Sequence, residues 1–533
     1  MNERFPDALE APRWYILAGF LILAVIVVAL HFPRLDSGFV VPLDYEEVHR
    51  ALAVDLENPY RLFTEPHAGF AYRPLSQSVH YLTTTLGDGD PRIFLVRNLV
   101  SHLITTVLVL FLAALLLRSW TGALFAAAFF ALHPAAVSMV SVPVYQAYGT
   151  LFPVLAALAA VFYVDREGTR STWVLTVSIT SISVSPWLSE NGLWLVAPAT
   201  IFALWLRSRS DRNWLPMLVV PWVSAIAFLL LRNEVVSIAS QILAVQDAST
   251  YGLKSLFTIL SNMVIYQVGT AMPFDYLLGI DPLTQGLSRS QLLSESASLI
   301  PRMLAVAGAF VVASATYVGL GLCWVNNCNR RLVIVASVML MLFWLASSLK
   351  IVFAHGTEMY VYGGSPWWAI GMTAVAMAAL ARIPITLRIP ARRLLALFAV
   401  GLLVGYGYAV HVRVGTLVEK ADRLEMPREL AQGLLKASRG ENGAVAIVVS
   451  CRIPFGFSVY GLNGGSAVLL HEYRALNFGD RADTVSGFRA GTVSTEDLFA
   501  FGARVVFVDE TLMATVDAKA AATENEACAT RTR

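Results

Sequence analysis

Residues 93–117 read IFLVRNLVSHLITTVLVLFLAALLL. A helix needs about 20 predominantly apolar residues to cross the hydrocarbon core of a bilayer, and this stretch supplies them. The pattern recurs at 14–32, 120–138, 144–164, 172–188, 191–206, 214–231, 302–324, 332–349, 365–381 and 394–412. The length criterion therefore gives about eleven candidate spans. Composition agrees: of 533 residues, 56% are hydrophobic and 14% charged, against roughly 25% charged in a soluble domain. Mean hydropathy is +0.62. The sequence predicts a mainly α, polytopic membrane helical bundle. Its net charge of +2 says less than where the charges fall.

The connections between spans sort by charge. Arg118; Arg166 and Arg170; Arg207, Arg209 and Arg212; Arg330 and Arg331; and Arg382, Arg388, Arg392 and Arg393 lie in short connections. Short basic connections stay cytoplasmic. The remaining segments, 33–92, 139–143, 189–190, 232–301, 350–364 and everything beyond 413, then lie outside, with the N-terminus inside. The first span follows Arg4 and Arg13, and no small-residue cleavage site follows it. It reads as a retained helix in a multi-pass plasma (inner) membrane protein. Within loop 232–301, the apolar stretch 255–272 is interrupted by Asn262 and Gln267. Crossing there would invert every later connection, so a re-entrant or surface-lying helix is expected.

Charge returns beyond 413. Residues 419–436 have helical spacing, and 444–450, 467–470 and 504–508 are short β-rich runs. This predicts a transmembrane domain over 1–412 followed by a small extracytoplasmic α/β domain over 413–518. The stretch 519–533, rich in Ala, Thr and Glu, is expected to be disordered. Of the four cysteines, Cys323 and Cys328 read as packing residues at the end of a span. Cys451 and Cys528 can pair if the tail is extracytoplasmic.

The notable polar residues map to the outer side. Asp44, Glu46, Glu47, His67, Tyr72 and Arg73 lie in the first loop. His133-Pro134 ends the third span and Ser189-Glu190 the fifth. Lys350, His355, Glu358 and Tyr360 follow the ninth. Odd-numbered spans exit on that side, so these ends share a level. Charge near a bilayer is costly and usually functional. A lipid-linked phosphosugar suits such a set. Arg or Lys would hold its phosphate, and a carboxylate would take the proton of an incoming hydroxyl. Blander roles exist for each residue: a solvated acidic loop, a snorkelling Arg73, a helix-ending His133-Pro134, a dipole-favoured Glu190, and a structural pair of Glu358 with Lys350 or His355. No phosphate-binding glycine loop, dinucleotide fingerprint or HExxH motif is present. The acidic side chains could hold a divalent cation through oxygen ligands, but no ligand spacing assigns a metal.

The order of these motifs resembles the GT-C-type membrane glycosyltransferases, in particular the TMTC O-mannosyltransferase branch and its bacterial relatives. The matching elements are Phe39 to Asp44, Leu62-Phe63-Thr64-Glu65-Pro66-His67, Tyr72-Arg73-Pro74-Leu75, Phe129-Phe130-Ala131-Leu132-His133-Pro134, Leu188-Ser189-Glu190, and Glu358-Met359-Tyr360-Val361-Tyr362 with Ser365. They span 39–368. The resemblance implies a GT-C-like bundle and an inverting transfer from a polyprenyl-phosphate sugar to a glycan, lipid or protein acceptor. It implies Asp44 as the general base. Glu46, Glu47, His67, Tyr72, Arg73, His133, Glu190, Lys350, His355, Glu358 and Tyr360 become donor-binding or cavity residues. The chain departs from the family pattern at Pro42 in place of Trp, Leu43 in place of the first Asp, Met359 in place of Arg, and Ser189 or Glu190 in place of Lys. The TPR array of the family is replaced by the α/β tail. These departures keep two other readings open: a non-catalytic or transport protein that binds polyprenyl-linked sugars, and a membrane scaffold presenting the tail.

Overall fold

The computed structural model describes residues 13–35, 61–64, 72–87, 91–142, 147–165, 172–209, 211, 213–243, 259–260, 263, 267, 270–271, 299–353, 361–424, 445–450, 460–461, 467–471, 474–476, 485–490, 504–509 and 514–531. The helical part runs α1 (Arg13–Leu35), α2 (Arg61–Thr64), α3 (Pro74–Gly87), α4 (Pro91–Leu117), α5 (Trp120–Ala131), α6 (Ala135–Ser141), α7 (Tyr148–Asp165) and α8 (Thr172–Leu188). A 3-10 helix (Glu190–Leu195) leads into α9 (Val196–Ser208), followed by α10 (Trp214–Leu243), α11 (Leu299–Val325), α12 (Arg330–Phe353), α13 (Ser365–Arg382) and α14 (Ile385–Leu424). Among the described residues six helices are long and apolar enough to cross a membrane, or seven if the bent pair α5–α6 counts as one span. Helices are the natural spanning element because hydrocarbon offers no partner for a backbone N–H or C=O.

Contacts at the helix ends sort the bundle into two levels. Arg118, just past α4, pairs with Asp165 at the end of α7. The Arg331 guanidinium donates to the Leu115 carbonyl at 3.0 Å, and Arg382 to the Asn327 carbonyl at 2.7 Å. The Tyr163 hydroxyl donates to Asp211 at 2.9 Å. The basic connections thus share one end of the bundle. Helix α10 leaves this end at Trp214, and α11 returns to it at Val325. The connection over 244–298 therefore starts and finishes at the opposite end. Of its described residues, Thr270 and Ala271 are fully buried. Their carbonyls accept from His133 and Tyr406 respectively.

Small residues let the helices approach closely. Gly122, Ala123, Ala126 and Ala127 of α5 are all buried, and a Cβ on Gly122 would stand 2.7 Å from Met377 of α13. Four boundaries differ from the sequence expectation. The stretch 120–138 is two helices bent by 63°, because Pro134 stands at the break, where it has no N–H to give. The stretch 191–206 opens as a 3-10 turn. Helix α10 continues to Leu243 rather than ending at 231, and α14 to Leu424 rather than 412. In α14, Val410, Val414 and Leu417 recur at helical spacing and bury against Val137 and Val142, so helical pairing continues past the apolar run.

The C-terminal residues form a sheet of order β5-β1-β6-β7 from β1 (Val445–Val449), β5 (Val485–Arg489), β6 (Arg504–Val508) and β7 (Ala514–Val516). Strands β5, β1 and β6 are parallel, and β7 is antiparallel to β6. A second, antiparallel sheet joins β2 (Tyr460–Gly461), β3 (Ala467–His471) and β4 (Arg474–Leu476). The stretch expected to be disordered is instead helix α15 (Ala518–Arg531). Asp517 accepts from the Lys519 and Ala520 amides and starts it. Ala521 and Cys528 bury against Val448, Val505 and Phe507. Cys528 is disulfide-bonded, Cys323 and Cys328 are free and buried, and Cys451 lies outside the described residues.

Gly192 places the 3-10 helix against the last turn of α8. A Cβ there would lie 2.3 Å from the Ser185 carbonyl carbon and 2.6 Å from the Pro186 nitrogen. Backbone cannot yield as a flexible side chain can. Gly192→Ala is therefore expected to destabilise the protein by about 1–3 kcal/mol, read as a lower melting temperature in detergent. An unchanged melting temperature would contradict this packing.

Candidate functional site

The end of the bundle opposite the basic connections carries the candidate site. Its pivot is Glu190, the first residue of the 3-10 helix. One carboxylate oxygen accepts from the Tyr72 backbone N–H at 3.3 Å and from Arg232 Nε at 2.7 Å. Arg232 lies in α10, in a stretch the sequence assigned to a loop. Tyr72 is fully buried. Its ring lies 5.6 Å from Phe228, in a cluster with Val235, Trp187 and Leu193. Its hydroxyl donates to the Phe63 carbonyl at 2.8 Å. Burial pushes the Tyr72 hydroxyl above its ordinary pKa, which keeps the donated proton in place. Tyr72 is thus a peg that fixes the chain entering α3.

The next residue, Arg73, precedes the first turn of α3, and its carbonyl accepts from the Gln77 N–H at 2.9 Å. Its Nε is buried and, among the described residues, has no hydrogen-bond partner. A guanidinium beside a helix N-terminus combines a full charge with the partial positive charge of the helix dipole. The arrangement is set up to take an anion.

One face of α3 continues this polar seam toward α4. Ser76 meets the Tyr148 hydroxyl at 2.8 Å. His80 Nδ1 lies 3.3 Å from Arg97, and Thr83 accepts from Arg97 at 3.2 Å. Arg97 also donates to Asn98 at 3.0 and 3.2 Å and lies over the Phe94 and Tyr148 rings. Asn98 in turn donates to the Val142 carbonyl at 3.1 Å. At the end of α1, Arg34 donates to the Ser141 carbonyl at 2.9 Å, and His31 meets the Ser141 hydroxyl at 2.9 Å. Sequence reasoning passed over Arg34, Arg97 and Arg232. The available signal was three arginines inside or at the edge of apolar runs, where a charge is costly unless partnered.

His133 is placed differently. Its Nδ1 accepts from the Ala135 N–H at 3.2 Å, and its Nε2 lies 2.7 Å from the Thr270 carbonyl, to which it donates. Its ring lies edge-on to Tyr406 at 5.3 Å. Both nitrogens are used in joining the α5–α6 break to Thr270, so His133 is a brace here. His102, unnoticed in the sequence, is similarly engaged by the Tyr362 hydroxyl at 2.9 Å and the Ala131 carbonyl at 3.1 Å. The structure thus brings Tyr72, Arg73 and Glu190 together, and His133 braces the α5–α6 break. Asp44, Glu46, Glu47, His67, His355, Glu358 and Tyr360 lie outside the described residues, as does the side chain of Lys350. Among the described residues no group of three or more His, Cys, Asp or Glu is placed to hold a metal.

The Glu190–Arg232 pair is partly exposed, so its coupling is expected to be about 1 kcal/mol. A cycle of Glu190→Gln, Arg232→Met and the double variant, read by thermal unfolding in detergent, measures it. Strictly additive effects would contradict the pairing.

No protein-family model and no curated protein sequence matches the chain. Among solved structures it is similar to the archaeal oligosaccharyltransferase AglB from Archaeoglobus fulgidus, determined with an inhibitory peptide and a dolichol-phosphate. Identity is 13% and the TM-score 0.43, over 82% of this chain and 62% of that one. The chain thus spans less than two thirds of the length of that protein. It is also similar to ArnT from Cupriavidus metallidurans bound to undecaprenyl phosphate, at 13% identity and a TM-score of 0.43, over 83% of each chain.

Proposed function

We propose that the chain is a membrane glycosyltransferase of GT-C type, similar to the TMTC O-mannosyltransferase branch. In this reading it moves a sugar from a polyprenyl-phosphate donor to an acceptor at the outer face. The observation that carries the reading is Arg73: a guanidinium at the start of α3, pegged by Tyr72 and Glu190, with a buried Nε that has no partner among the described residues. An anionic lipid headgroup supplies the missing acceptor. The arginines gathered at the other end of the bundle support a cytoplasmic placement of that end. A disulfide-bonded Cys528 agrees with a tail in an oxidising compartment, and free Cys323 and Cys328 with a reducing one near the basic end.

The chemistry then runs as a single displacement. An acceptor hydroxyl attacks the anomeric carbon, and its proton passes to the Asp44 carboxylate. The bond from the anomeric carbon to phosphate oxygen breaks, and its electron pair leaves with the polyprenyl phosphate. Arg73 stabilises that departing charge. Configuration at the anomeric carbon inverts.

Two variants test these assignments in full-length protein reconstituted with polyprenyl-phosphate sugars. Asp44→Asn is expected to abolish transfer while expression and donor binding persist, and a wild-type rate would exclude Asp44 as the base. Arg73→Ala is expected to weaken undecaprenyl phosphate binding by roughly 10-fold or more, the scale of a lost charge-assisted hydrogen bond. Unchanged affinity would remove Arg73 from the phosphate site.

A further inference from the structure

Three further polar groups near the same end of the bundle are buried without a hydrogen-bond partner among the described residues: Trp368 Nε1, Gln267 Nε2 and Ser347 Oγ. They share neighbours. The Tyr317 hydroxyl donates to Gln267 Oε1 at 2.6 Å, and the Tyr317 ring lies 6.2 Å from the Trp368 ring. Trp368 also faces Phe343 at 5.9 Å. A Cβ on Gly364 would touch both Phe343 and Ser347 Oγ, so Ser347 faces the turn that opens α13. The preceding residue, Trp367, has its own indole N–H without a partner among the described residues and meets Trp194 edge-on at 5.9 Å. Trp194 belongs to the 3-10 helix that begins at Glu190, which links this cluster to the Arg73 site.

The chemistry of the donors narrows what they await. An indole N–H can only donate. The Gln267 oxygen is already used by Tyr317, so its free end is the NH2 group. Leaving such groups unpaired in a buried setting is costly. The missing partner is rich in acceptors. What sets it apart from a bare anion is an apolar face, since the surroundings are Trp368, Tyr317 and Phe343. A pyranose ring has that character: hydroxyl and ring oxygens around its edge and C–H groups on its face. We propose that Trp368, Gln267 and Ser347 form a carbohydrate subsite that takes a pyranose, either the sugar of the lipid donor or one in the acceptor. The inference rests on the lipid-linked transfer reading and adds where the sugar is held.

The test uses full-length protein in lipid nanodiscs. The probes are undecaprenyl phosphate, undecaprenyl-phosphate mannose and glucose, and the methyl glycosides of the same sugars. Trp368→Phe keeps the aromatic surface and removes one donor, and Gln267→Leu removes another without touching the tryptophan. Each is expected to weaken binding of a sugar-bearing probe about 5-fold, the scale of one hydrogen bond, with undecaprenyl phosphate affinity unchanged. Loss confined to the sugar lipids assigns the subsite to the donor, and loss confined to the glycosides assigns it to the acceptor. Wild-type affinity for every sugar probe in both folded variants overturns the subsite and leaves the transfer reading intact. Wild-type protein that binds neither undecaprenyl phosphate nor any sugar lipid overturns both.

Discussion

One carboxylate organises the site end of this molecule. Glu190 joins the start of the 3-10 helix to the chain entering α3 and to Arg232 of α10. An ionised carboxylate near hydrocarbon is tolerated only when it is paired and hydrogen-bonded, and here it has both kinds of partner. The consequence is positional. Tyr72 is held by its backbone to Glu190 and by its ring to Phe228, and that fixes where Arg73 begins its helix. Gly192 lets the 3-10 helix lie against the backbone of α8. Trp194, further along the same short helix, carries the link to Trp367 and the donor cluster beside it.

The opposite end is simpler. Arg118, Arg331 and Arg382 tie neighbouring helix ends through a carboxylate or an exposed carbonyl, which uses backbone acceptors that a helix C-terminus or a turn leaves open. The two ends therefore differ in kind. One closes the bundle with short basic connections. At the other, a guanidinium nitrogen, an amide and indole donors are buried without partners among the described residues. Those donors are the physical basis on which binding is proposed at that end.

Much of this was legible in the sequence, and the failures have physical causes. The spans are visible because hydrocarbon imposes both length and apolarity, so composition alone reveals them. Strands 444–450, 467–470 and 504–508 were visible as short β-rich runs and coincide closely with β1, β3 and β6. Tyr72, Arg73 and Glu190 were legible as site candidates, but their mutual geometry was not. Arg97 was hidden because a lone arginine early in an apolar run looks like a span end. Only the folded chain surrounds it with His80, Thr83 and Asn98. His133 was legible as a polar residue at a span end, but its partner Thr270, 137 residues away, was not. Helix α15 looked disordered because its buried face needs β6 in place before Ala521 and Cys528 have anything to bury against.

Sugar transfer from a polyprenyl phosphate at the site end is tested most directly by turnover with purified, full-length protein. The protein would be incubated with undecaprenyl phosphate bearing mannose, glucose, galactose or N-acetylglucosamine, together with envelope extract as acceptor, and the lipids read by mass spectrometry. Release of free undecaprenyl phosphate from at least one sugar lipid, matched by a glycosylated envelope component, is the predicted result. Folded protein that releases none from any of the four contradicts the account.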